Sequence, residues 1–143
     1  MARIDIEQMT ELSVEEAWGR VTEWERHADF VPFTVIDVVE APGGGVGTVL
    51  TARTALAGVG FDDPMEVTVW EPPGSEIARC RIEKRGRIVS GWAEIEIVGA
   101  SAGSRVRWVE EIQMARVPHA FDTLTRWSSR WLFARTLRGL LDA

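Results

Sequence analysis

The chain predicts an α+β fold in a single domain, residues 1–143: a seven-stranded, curved antiparallel sheet wrapped around a long C-terminal helix, with two short helices after the first strand. Three observations predict it. Extended and helical patterns follow one another in the order strand, two short helices, six strands, long helix. The last helix carries an apolar face too wide for one flat neighbour to cover. The length of 143 residues with 45% hydrophobic content allows one core, whereas two domains would each bury too little.

The first strand lies in MARIDIEQMT, where Ile4 and Ile6 alternate with Arg3, Asp5 and Glu7. Ser13 before Val14, Glu15 and Glu16 is an N-cap followed by acids that favour the helix dipole, so a short helix runs to about Thr22. WERHADF starts a second short helix near Glu25, which stops before Pro32 because proline excludes its predecessor from the helical region. Six extended runs then follow between Gly, Pro and Asp clusters: TVIDVVE, TVLTART, MEVTVWE, IARCRIE, RIVSGWAEIEIV and RVRWVEEIQM. The closing helix runs from about Pro118 to Leu141. Leu124, Trp127, Trp131, Ala134, Leu137 and Leu141 share one face of it, widened by Phe121, Leu132, Phe133 and Leu140.

Composition excludes several classes of function. The net charge is −6 and cations are scattered, which disfavours nucleic acid and anionic membrane surfaces. No apolar stretch is long enough to insert into a membrane, and the N-terminus alternates where a signal peptide would be continuously apolar, so a cytoplasmic location is expected. Cys80, the only cysteine, forms no internal disulfide and reads as a buried structural thiol. Lys84 is the only lysine and carries no functional reading. GGGVG, residues 43–47, lacks the Lys-Ser/Thr of a phosphate loop and reads as a hairpin loop. His27 and His119 stand apart from any ligand cluster, which points to surface or capping roles, no metal site and no cofactor.

The segments SVEEAW, WERHADFVP, GFDDPMEV, GRIVSGWAEIEI and RVRWVEE occur in the order seen in the START-like superfamily, also called SRPBCC. The chain resembles its polyketide cyclase/dehydrase and lipid-transport branch from end to end. That resemblance implies the helix-grip fold and a cavity between sheet and last helix, opening near the short helices. It does not select among lipid carriers, receptors and aromatases. Trp24, Phe30, Phe33 and Phe61 would flank the mouth and be partly exposed.

Strand alternation supplies the lining. Val106, Trp108, Glu110, Ile112 and Met114 form one inward row; Ala93, Ile95 and Ile97 form a second. Ala78, Cys80 and Ile82 form a third, and Met65, Val67 and Val69 a fourth. Each aliphatic could serve as core alone. Glu110 is different, because a carboxylate beside Trp108 on the apolar side must be paired, hydrogen-bonded, protonated or wet. It is the expected polar handle for a ligand, or else a buried partner of Arg53, Ser128 or Ser129. The expected ligand-binding set is Trp24, Phe30, Phe61, Met65, Ala93, Ile95, Trp108, Glu110, Trp127 and Trp131.

Adjacent residues of an extended segment point to opposite sides, so Asp62 and Asp63 cannot form a catalytic pair. DDP reads as a turn, with one Asp facing the cavity rim as the alternative. Simple alternation sends Trp70 and Trp92 outward, where they would form an aromatic patch for self-association. A bulge at Ser90-Gly91 would reverse the phase. With no assignable catalytic group, the expected function is binding of a small hydrophobic or lipid-like ligand. One alternative is a polyketide cyclase or aromatase using Glu110; another is an interaction module whose cavity is filled by its own side chains.

Overall fold

A computed structural model describes residues 2–74, 77–114 and 122–142; within these, the side chains of Ala2, Leu56 and residues 122–129 are left aside. Strand β1 (Ala2–Thr10) leads to helix α1 (Val14–Val21) and a 3-10 helix (Trp24–Phe30). Strands β2 (Thr34–Val39), β3 (Val49–Leu56), β4 (Val59–Glu71), β5 (Ile77–Arg85), β6 (Val89–Ala100) and β7 (Gly103–Met114) follow, then helix α2 (Asp122–Asp142). All strands join one antiparallel sheet in the order β1-β7-β6-β5-β4-β3-β2. The expected start of the last helix at Pro118, and His119, lie outside the described residues.

Local chemistry accounts for the ends of the helices. Ser13 Oγ accepts from the Glu16 amide at 3.1 Å, closing the first turn of α1. Arg20 on α1 donates to the Leu141 carbonyl at 3.3 Å, satisfying an otherwise orphaned group at the end of α2. Arg130 donates to the Asp5 carbonyl at 3.1 Å, tying α2 to β1.

Two strand details differ from the expectation. The β3–β4 hairpin turns at Ala57 and Gly58, both left-handed at φ 53° and 79°, so DDP is not a turn but lies inside β4. A two-residue hairpin needs that geometry, but Ala-Gly lacks the Asn-Gly or Asp-Gly signature that would have announced it. β4 also carries a bulge between Val67 and Val69. Val69 therefore aligns with Arg81 and leaves the inward row, while Trp70 aligns with Cys80 and packs into the core, edge-to-face with Trp18 at 4.9 Å.

The pairing of β6 is unbroken through Ser90-Gly91, so Trp92 stays outward. There Arg81 covers its ring at 4.4 Å and Arg3 approaches at 5.8 Å. With one tryptophan inside and the other under arginines, the two-tryptophan patch does not form. The outer face carries ion pairs of Arg79 and Arg81 with Glu94, both at 3.2 Å.

Candidate functional site

The concave face closes on a cavity of about 380 Å³ between the sheet and the first described half of the α2 side chains. Met65 from β4, Ala93 and Ile95 from β6, and Trp108 and Glu110 from β7 line it, as alternation predicted for those strands. Leu132, Phe133 and Thr136 of α2 close the opposite side. The space is open among the described side chains.

At the mouth the outcome is mixed. Phe61 lines the cavity and is half-buried, whereas Trp24 lines it but is only 6% exposed, because the 3-10 helix folds inward. Phe33 is exposed and outside the lining. Phe30 also lies outside it and packs on α2 at Gly139, where even a Cβ would come within 2.2 Å of the ring. Trp131 is 58% exposed and outside the lining. It stands roughly 160° round the helix from Phe133, on the side of exposed Arg135 and Arg138. The Trp127 side chain, and those of Ser128 and Ser129, lie outside the described residues.

The polar centre contains Asp63, which meets the alternative of one Asp facing the cavity, and Lys84, which sequence reasoning did not select. Lys84 Nζ donates to Asp63 Oδ2 at 2.8 Å and lies 3.7 Å from Glu110 Oε1. Arg53, one expected partner of Glu110, instead pairs with Asp62 on the outside at 2.9 Å. Both residues are in phase with recognised rows: Lys84 follows Ile82 by two, and Asp63 precedes Met65 by two. Lys84 and Glu110 sit on strands separated by β6. Lys84 is aligned there with Gly91, and Glu110 with Ala93, so small side chains leave room for the two long ones to meet.

Glu110 is 1% exposed. Burial pushes its carboxyl up to about 7; the Lys84 charge opposes that rise and Asp63 adds to it. Burial by itself pulls Lys84 down, but Glu110 and then Asp63 outweigh it and hold the ammonium above its usual range. The asymmetry is physical: one ammonium has two carboxyl neighbours, and each carboxyl has half an ammonium. Glu110 Oε2, Asp63 Oδ1 and the Trp108 indole N–H are buried without hydrogen-bond partners among the described residues.

His27 is also at this site, half-buried, and of the surface or capping roles expected for it the capping one fits, since it bonds the last carbonyl of α1. It lies between Trp24 and Trp108, with ring centres 5.5 and 5.7 Å away, and its Nε2 bonds the Val21 carbonyl at 2.8 Å. Burial lowers its pKa, which favours the neutral ring. Its position in WERHADF offered no periodicity from which to deduce this. Cys80 is wholly buried, and burial raises its thiol to about 12, in keeping with an inert structural role.

No family model and no curated protein matches the chain. Solved structures do. Ara h 8.0201 is 15% identical with a TM-score of 0.66, covering 99% of this chain and 98% of that one. The Zhui aromatase/cyclase from Streptomyces sp. R1128 is 13% identical with a TM-score of 0.65, covering 98% and 91%. Norcoclaurine synthase from Thalictrum flavum, as a point mutant, is 13% identical with a TM-score of 0.65, covering 98% and 94%. The chain has the helix-grip fold that its START-like resemblance implied.

Proposed function

We propose that the protein binds a small, largely apolar molecule in this cavity, with the molecule's polar end at Asp63, Lys84 and Glu110. The observation that carries the reading is an open space of about 380 Å³ whose apolar walls enclose one buried cluster of charged groups. Cavities of this size and character are the usual form of small-molecule sites. Binding to proteins of the same fold supports a ligand in general without naming one.

The test is a titration with the neutral dye N-phenyl-1-naphthylamine, alongside native mass spectrometry of the purified protein for a retained small molecule. A saturable fluorescence rise is expected. It should be lost in Ala93→Phe, which fills the cavity, and in Ala52→Trp, which narrows it from β3, with circular dichroism checking that each variant folds. No rise, or an undiminished rise in folded filling variants, would overturn the proposal.

Glu110 favours a second reading, a cyclase or aromatase-like enzyme in the same cavity. A carboxyl raised to about 7 with a free oxygen can give or take a proton near neutrality. Turnover of a bound compound that falls about 10²–10⁴-fold in Glu110→Gln, with binding retained, would favour catalysis. Binding without turnover would favour the carrier.

A further inference from the structure

We infer that the cavity selects ligands whose polar end is a neutral hydroxyl, an alcohol or phenol, and rejects ligands ending in a carboxylate. This rests on the proposed binding function and narrows it to a ligand class.

The argument is an inventory of unmet hydrogen-bonding groups. Two carboxyl oxygens, Glu110 Oε2 and Asp63 Oδ1, are buried and unpartnered among the described residues, as is the Trp108 N–H donor. Lys84 also has donor capacity in reserve. It makes one strong bond, to Asp63; its contact with Met65 Sδ at 3.4 Å is to a weak acceptor, and 3.7 Å to Glu110 is an ion-pair distance, too long for a hydrogen bond. The site thus needs a group that both donates and accepts. A hydroxyl does both, a carboxylate only accepts, and an ammonium only donates.

Charge separately disfavours the carboxylate. Two acids already share one ammonium in a low-dielectric setting, so a third carboxylate would enter against surplus negative charge. Lys84 cannot compensate, because its charge is already engaged by both neighbours. The same engagement keeps it protonated, which removes it as a nucleophile toward carbonyl compounds.

The experiment competes 2-naphthol, 2-naphthoate, naphthalene and 2-naphthylmethylamine against bound N-phenyl-1-naphthylamine at about pH 8, where the naphthol is still neutral. 2-Naphthol should bind about tenfold or more tighter than naphthalene, and 2-naphthoate more weakly than naphthalene. In Glu110→Gln, which removes one acid but keeps the shape, the naphthol-to-naphthoate preference should fall severalfold. Dye binding with naphthoate equal to naphthol, a preference unchanged in Glu110→Gln, or an amine that outcompetes naphthol would each overturn this inference while leaving the binding function standing. Failure of the dye itself to bind would overturn both.

Discussion

The concave face has two ends made from the same strands by the same alternation, and they differ completely in kind. At one end Ala78, Cys80, Ile97 and Val106 are wholly buried, within the core cluster that also includes α1 and the last turns of α2. At the other, the continuation of the same rows places Asp63, Lys84 and Glu110 around open space. Alternation therefore determines which side chains face inward, and what packs over them determines whether inward means packed or hollow. A buried charge is tolerable only in the second setting, where three groups can meet and a ligand or water can reach what they leave unpaired.

The strongest way to break this contrast is Lys84→Ala. It leaves two buried carboxyls without a counter-charge, and the expected loss at about pH 8 is about 3–5 kcal/mol by denaturant unfolding. A loss below about 1 kcal/mol would mean that the polar end is far better hydrated than its burial implies.

A pH series sharpens it. Glu110 titrates near 4.5 when unfolded and about 7 when folded, so between these values the folded chain holds the extra proton and stability falls as pH rises. His27 works in the opposite direction: with its folded pKa below 6.5, its contribution is lost as pH falls through that value. Lys84 stays charged throughout this range. The difference between wild type and Glu110→Gln isolates the first effect. The stability advantage of wild type should shrink by about 3 kcal/mol from pH 4.5 to about pH 8; a constant difference would place Glu110 near its ordinary value.

The smallest effect compares aliphatic truncations at the two ends. Ile97→Ala opens a void in the packed end and should cost about 3 kcal/mol, whereas Met65→Ala enlarges a space already present and should cost about 1 kcal/mol. Equal losses, measured by thermal unfolding, would mean that the two ends are equally packed.

Element order and the inward rows of β6 and β7 were legible in the sequence because helical and extended periodicities are local properties. Glu110 was legible as well, since an acid in an apolar row contradicts its surroundings wherever the strand lies. Asp63 and Lys84 carry the same contradiction one step beyond the rows as first read. Asp63 was read only as the alternative to a turn because it sits in a turn-like tripeptide, and Lys84 was passed over because it ends a run of alternating charge.

Other features had no local signal. The aromatic rings of Trp24 and Trp131 look alike in sequence, yet one is at the cavity and the other in solvent, because helix placement decides which part of a wide apolar face is covered. The bulge that turns Trp70 inward exists only as a relation between β4 and β5.

By itself, then, the sequence determined the succession of elements, the inward or outward phase of regular strands and the presence of one acid that needed company. Only the tertiary structure decided who that company is. Lys84 meets Glu110 across β6 because pairing register sets Gly91 and Ala93 between them, and the cavity is the space that the 3-10 helix and α2 cover without filling. Periodicity is a property of one strand, whereas register and the spacing of layers arise when strands and helices pack together.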